Sequence, residues 1–356
     1  QRGISVSTML TDIRTVYAKT GASNRGDLVR LVTSAARACD RFARDTDKPA
    51  APAVCLTAKG HEVPIVLRGP QGGFPVIFFH GMLDGCNTTS RIGLALEEAG
   101  LRLIAPIRPG FGTTAQDDGP PATAAVRFAE DVEQVLDRLR LDRVVLLGHM
   151  GGALHAFAAA ARLKERALGI VNVAGAVPIV SISQFAAMSR RQRLLAYTAR
   201  FVPEALPFVL RAGIRKLDLD GAHSFMTTIY ERSPRDLAAI LDAEVYQALS
   251  RGYRFTVAQG HRALETDGYQ VVRDWSDIAE GSDTPVTLLH GQHDPVVSAD
   301  SVSAFALRLG GRARVRMFNE CGQLVFYTAP EAVCHALRAH VETGGHIKDR
   351  AVGVSE

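Results

Sequence analysis

Six short apolar runs constrain this chain more than any other feature: PVIFFHG (75–81), LRLIAPI (101–107), RVVLLGH (143–149), LGIVNVAG (168–175), TPVTLLHG (284–291) and ARVRMFN (313–319). Each is short and apolar nearly throughout, the pattern of a strand covered on both faces. Segments of helical periodicity separate them, among them TAAVRFAEDVEQVLDRLR (123–140) and SADSVSAFALRLG (298–310). That alternation predicts an α/β fold with a mostly parallel sheet and helices on both faces. Two further β-rich segments, near 52–58 and 61–68, read as an antiparallel hairpin and bring the sheet to about eight strands. Between about Val180 and Asp283 the strand rhythm stops. Amphipathic helices punctuated by Pro203, Pro207 and Pro234 take over, which predicts a helical cap above the carboxyl edge of the sheet, where such folds bind ligands.

Bulk properties narrow the function. Of 356 residues, 47% are hydrophobic and 22% charged, enough apolar material for a sizeable core. No apolar run reaches the ~18 residues that a membrane span needs, and QRGISVSTML does not read as an export leader. The five cysteines (Cys39, Cys55, Cys86, Cys321, Cys334) are scattered and form no CxxC pair. A reduced, cytoplasmic protein without disulfides, metal or cofactor is expected. The formal net charge is +4, and residues 1–50 carry all of it, with nine Lys and Arg against five Asp and Glu. A basic segment of this kind is either a solvated arm or an electrostatic footprint for nucleic acid.

Within that segment Ile4, Met9, Ile13, Val16 and Tyr17 have helical spacing, and a second helix is predicted from about Asn24 to Cys39. The succession GIS, Thr8-Met9, IRTVYAK and SNRGDLVRL, over residues 3–38, resembles the second half of a LuxR-type helix-turn-helix domain. The resemblance implies a partial domain at 1–48, an N-terminal helical arm from which the two preceding helices are missing. Ser7, Thr8, Thr11, Arg14 and Lys19 would then face DNA in the full-length parent protein. Asp12 departs from the pattern, since a carboxylate there repels phosphates.

Five motifs follow in order: HGMLDG (80–85), RPGFGTT (108–114), LLGHMGG (146–152), LLHGQHDPVV (288–297) and ECGQLVFYTAPEAV (320–333). Together they resemble the α/β-hydrolase superfamily over residues 50–345. The resemblance implies an α/β-hydrolase core at 50–179 and 284–350, a helical cap at 180–283, and a strand-turn-helix elbow of the G-x-S-x-G type at Gly148–Gly152. Met150 occupies the nucleophile position, and a thioether cannot be deprotonated. Asp294 keeps the acid position. The base position, after Gly322, holds Gln323, and an amide exchanges no proton near neutral pH. Two of the three reactive groups are thus replaced.

The backbone N–H groups of Met82 and Gly151 would still frame an oxyanion. His80, Met82, Met150, Gly151, Asp294 and Gln323 from the core, with Phe185 and Met188 from the cap, form the expected ligand-binding set. Phe225, Met226 and Tyr230 are further candidates. The cap stretch SQFAAMSRRQRLLAYTARF (183–201) suits a membrane-surface helix, but the expected arrangement turns its apolar face to the pocket and its arginines to water.

The function expected is a pseudoenzyme: a noncatalytic ligand-sensing effector domain of a LuxR-type transcriptional regulator. Its partners would be a small, partly apolar effector bound between core and cap, DNA for the full-length parent, and a second copy in a homodimer, with no membrane. Two alternatives stay open. One is an atypical α/β hydrolase with a non-serine nucleophile such as Cys321 or Asp294, aided by Cys86, His149 or His293. The other is a pure interaction scaffold.

Overall fold

The computed structural model describes residues 53–57 and 60–351, together with Tyr17, Asn24, Gly26 and Val29. Ser7, Thr8, Thr11, Arg14 and Lys19, expected to face DNA, lie outside the described residues.

The strands are β1 (Ala53–Leu56), β2 (Glu62–Arg68), β3 (Phe74–Phe79), β4 (Leu101–Pro106), β5 (Val144–His149), β6 (Ala167–Val173), β7 (Val286–Gly291) and β8 (Ala313–Phe318). They form one sheet in the order β1-β2-β4-β3-β5-β6-β7-β8. The first two are the expected antiparallel hairpin, β2 also runs antiparallel to β4, and β3 to β8 are mutually parallel. All six apolar runs become strands.

The helices are α1 (Ser90–Glu98), α2 (Ala124–Arg138), α3 (Gly152–Leu163), α4 (Ile182–Ala187), α5 (Arg190–Phe201), α6 (Leu206–Tyr230), α7 (Pro234–Ala239), α8 (Ala243–Val257), α9 (Arg262–Val271), α10 (Ser276–Glu280), α11 (Ala299–Leu309), α12 (Val325–Thr328) and α13 (Pro330–Ala351). Successive strand residues point to opposite sides of a sheet, and here they fill two cores. Val76, Phe78, Leu103, Val145 and Leu147 pack with Ile92 and Leu96 of α1 and Val333 and Leu337 of α13. Ile77, Phe79, Ile104, Val144 and Leu146 pack with Phe128 and Val132 of α2, Phe157 of α3 and Phe305 of α11. Because both faces of β3 to β7 are covered, those strands read as continuous rather than alternating apolar runs, whereas β8, expected to be covered likewise, is the edge strand and leaves Arg314, Val315 and Arg316 exposed.

Helices α4 to α10 fill the interval between β6 and β7. Three of them seat this cap on the ends of the strands. On α8, Gly252 lies where any Cβ would strike the backbone of Asp84. Phe255 of the same helix meets the rings of His80 and Phe111 at centroid distances of 5.4 and 6.1 Å. On α7, the Asp236 carboxylate accepts from the backbone N–H groups of Gly322, Gln323 and Leu324. On α9, Asp267 receives Nη1 of Arg108 at 2.6 and 2.7 Å. Arg108 follows β4, and its Nη2 donates to the carbonyls of His80 and Gly81 at 3.1 and 3.2 Å.

The Arg108–Asp267 pair is buried on both sides, at 2% and 4% side-chain exposure. Burial pushes the Asp267 carboxyl up, but the Arg108 charge outweighs it and holds the group down at about 2. Removing one partner of such a pair strands the other charge, at a cost of about 3–5 kcal/mol. Asp267→Asn is therefore expected to lower unfolding stability by about that amount in urea titrations at pH 7, with unchanged stability contradicting the clamp. A carboxylate depressed in the folded state contributes above its unfolded pKa of about 3.9 and loses that contribution as pH falls toward 2. The difference between wild type and variant should therefore shrink across that acid window.

Candidate functional site

The turn between β5 and α3 is built for a side chain at the sheet's carboxyl edge. Met150 sits there at φ +49°, in the left-handed region, a conformation that costs a non-glycine residue about 1–2 kcal/mol. Three backbone hydrogen bonds hold it: Met150 N–H to Val173 O at 3.1 Å, and Met150 O from Ala176 and Ala153 N–H at 2.9 and 3.2 Å. Gly152 is required because a Cβ there would run into the Phe79 carbonyl at the end of β3. Gly151 is the N-cap of α3, so its N–H belongs to the unpaired donors of a helix start. The side chains of Met82 and Val271 lie over Gly151, with Met82 Cγ 3.1 Å from where a Cβ would stand. The strained elbow is kept, and a half-buried thioether stands at its tip.

Asp294 follows β7. Its Oδ1 accepts from Val296 and Val297 N–H at 2.7 and 3.0 Å. Its Oδ2 is buried without a hydrogen-bond partner, 3.4 Å from His290 Nε2. His290 Nε2 is itself committed to Val297 O at 2.9 Å. Burial raises the Asp294 carboxyl, opposed by His290 and the two backbone N–H groups. Gln323 lies on the loop after β8, with its N–H on Asp236 Oδ2 at 2.7 Å and its carbonyl 3.3 Å from His149 Nε2. Asp294 thus keeps one buried carboxylate oxygen without a hydrogen-bond partner, and the loop after β8 carries the Gln323 amide.

Three further members of the expected ligand set, His80, Phe185 and Met188, are buried. His80 is wholly buried, its Nδ1 2.8 Å from Gly81 O. Burial and the neighbouring Arg108 charge lower it to about 3, so it is neutral near pH 7 and lies beneath the cap. Phe185 and Met188 pack with Ile179, Ala196, Ala199, Leu206 and Val272 in the cap's own core, against which Val271, whose side chain lies over Gly151, also packs. Open space lies beside Asp294: a cleft of about 410 Å³ lined by Arg232, Gln292, His293, Ser298 and Asp300 among others.

Two contacts, and the surroundings of the candidate Tyr230, were not anticipated from sequence. His149 and Asp84 form a buried pair at 2.5 Å beneath the elbow, both side chains with no exposure. Asp236 reaches from the cap to hold the loop of Gln323. Tyr230, at the end of α6, is buried, and burial together with the charges of Asp84, Asp236 and Asp294 raises its hydroxyl well above the usual range. The partners in these contacts are 65 or more positions apart, beyond any local pattern. The signal present in the sequence was Asp84 inside HGMLDG and His149 inside LLGHMGG.

With this geometry in view, the comparisons with known proteins agree on the fold. The family model described as "alpha/beta hydrolase fold" matches residues 75–330. An epoxide hydrolase of Caballeronia sordidicola is 31% identical over 121 residues, 34% of this chain and 36% of that protein. The chain thus spans about a third of that relative's length. A non-heme chloroperoxidase of Burkholderia pyrrocinia is 25% identical over 245 residues, 68% of this chain and 82% of that protein. The crystal structure of a bromoperoxidase from Bacillus anthracis is 17% identical with a TM-score of 0.60, covering 82% of this chain and 100% of that one.

A cysteine substituting for the missing hydroxyl is opposed by the surroundings of the nearby thiols. Cys86 and Cys321 are both buried. Burial, with Asp84 beside it, pushes Cys86 up to about 12, and burial raises Cys321. The thiolate is the nucleophile, and at pH 8 a thiol of pKa about 12 is ~10⁻⁴ ionised against roughly a quarter for a free cysteine. Peptide-mapped iodoacetamide labelling should therefore modify Cys86 at least ~10³-fold more slowly in the native protein than in urea. Rapid native labelling would mean an accessible, activated thiol.

Proposed function

This chain belongs to the α/β hydrolase fold family, and we propose that within it the domain binds a small molecule without turning it over. The observation that carries this reading is Met150 at φ +49° in an otherwise intact elbow. The turn keeps its strain and its framing glycines but presents no group that can attack a carbonyl. Gln323 on the base loop supports the same reading, since neither proton abstraction nor proton return is available from an amide. Asp294 keeps an acceptor facing inward with no protein donor bonded to it.

The ligand class follows from what remains. The N–H groups of Met82 and Gly151 suit a carbonyl or carboxylate oxygen. The Met82 and Met150 side chains supply flexible apolar surface that fits a partly apolar body. The basic residues 1–50, with their LuxR-like order, make the domain the effector module of a DNA-binding regulator. Binding would shift the cap between two seatings by its different affinity for each. A DNA mobility shift that is unaffected by every molecule the domain binds would remove that regulatory layer.

The catalytic question is settled by activity. Rigorously purified wild type is expected to leave short- and medium-chain activated esters unhydrolysed above the buffer rate. Met150→Ser combined with Gln323→His should create measurable hydrolysis, because the elbow and Asp294 are in place. Wild-type turnover that survives repurification and persists in Met150→Ala would contradict the noncatalytic reading.

A further inference from the structure

The apolar stripe of α5 faces outward. Leu194 and Phe201 are 64% and 52% exposed, and flanking Ile182 and Phe208 reach 63% and 68%. Arg190, Leu194, Tyr197 and Phe201 follow one another at intervals of four, three and four, so they share one face of the helix. Tyr197 and Phe201 lie 5.3 Å apart and both stack on buried Phe185. The stripe is therefore a braced surface rather than a set of loose side chains. Single exposed apolar residues are ordinary; several on one braced face mark an interaction surface.

The charge around this face identifies its partner. Residues 180–214 hold five arginines, at 190, 191, 193, 200 and 211, against one acid, Glu204. Arg190, Arg191 and Arg211 are exposed, whereas Arg193 is committed to the carbonyls of Ala186 and Met188 at the end of α4. A second copy would bring identical cationic faces together. Residues 1–50 carry a net +4 and would be repelled in the same way. Duplex nucleic acid held through its phosphates would match the charge but leave Leu194, Phe201 and Phe208 in water. Exposed aromatic and aliphatic groups interleaved with arginine match an anionic lipid surface, whose headgroups take the guanidinium groups while the acyl boundary takes the rings.

We propose that the face formed by α4, α5 and the start of α6 docks the domain on anionic lipid membranes. Attachment would be peripheral, since no described helix is long and apolar enough to cross a bilayer. This departs from the expectation, drawn from the sequence, that no membrane is a partner. The 183–201 stretch keeps Phe185 and Met188 buried and Arg190 and Arg191 in water, and adds an exposed apolar face at Leu194 and Phe201.

Co-sedimentation of the full chain with large unilamellar vesicles tests the proposal. Binding is expected to vesicles of phosphatidylcholine containing phosphatidylglycerol, to weaken on raising salt, and to be near background on phosphatidylcholine alone. Leu194→Ser with Phe201→Ser, and separately Arg190→Glu with Arg191→Glu, should each lower the partition coefficient at least ~10-fold, because apolar burial and headgroup attraction both contribute. Arg190 and Arg191 are exposed, so the charge variant should keep the wild-type melting temperature, and the apolar variant, which gives up the Phe201 ring contacts with Phe185 and Tyr197, should remain cooperatively folded with a lower one. Equal binding to neutral and anionic vesicles, or no binding, overturns the proposal. Binding that survives both variants belongs to another cationic segment and overturns it too. A dimer in analytical ultracentrifugation that the apolar variant dissolves, without vesicle binding, assigns the face to a second copy instead. Equal capture by soluble poly-glutamate reduces the effect to charge and contradicts a lipid partner.

Discussion

The turn that holds Met150 at φ +49° depends on close backbone packing on every side. Gly152 lets the start of α3 touch the Phe79 carbonyl, and the Met150 peptide is tied to β6 through Val173 and to the following loop through Ala176. A strained turn persists only where its surroundings over-determine it. Here those surroundings are the central strands β3, β5 and β6, so the turn's geometry does not depend on which side chain stands at its tip. The sheet enforces the elbow's shape, and a thioether is held there as firmly as any other group.

The cap is fastened to this frame by carboxylates that point downward. Asp267 takes the Arg108 guanidinium, and Asp236 takes three successive N–H groups of the loop after β8. Both contacts join cap to core, and the second holds the loop of Gln323, which His149 also approaches from below. The base loop is thus gripped by one group from the cap and one from beneath the elbow. A displacement of α7 would be felt at Gln323 and, through His149, at the residue next to Met150. That is the kind of shared, bistable contact through which a bound molecule can bias cap position.

Much of the fold was legible because parallel strands covered on both faces have a strong local signature. All six apolar runs from PVIFFHG to ARVRMFN became strands, and the interval that lost the strand rhythm is helical. The candidate positions Met150, Asp294 and Gln323 were equally local, since each sits inside one of the five motifs. What was not legible depends on distant partners. Neither the Asp236 grip nor the Arg108–Asp267 clamp has a sequence period, and only folding shows that Phe185 and Met188 belong to the cap's own core. The exposure of Leu194 and Phe201 on α5 was not legible for a related reason. An amphipathic pattern defines an apolar face but not which side of the helix the neighbours cover.

The central claim, a frame that binds what it does not convert, is tested most directly by following one ligand through binding. Carbonyl- and carboxylate-bearing metabolites would be screened by thermal shift, and any that stabilise the protein recovered from the complex and weighed by mass spectrometry. The expected result is a molecule that raises Tm with the logarithm of its concentration above Kd and is recovered chemically unchanged. Recovery of a cleaved product, or a broad screen in which nothing raises Tm, would contradict it.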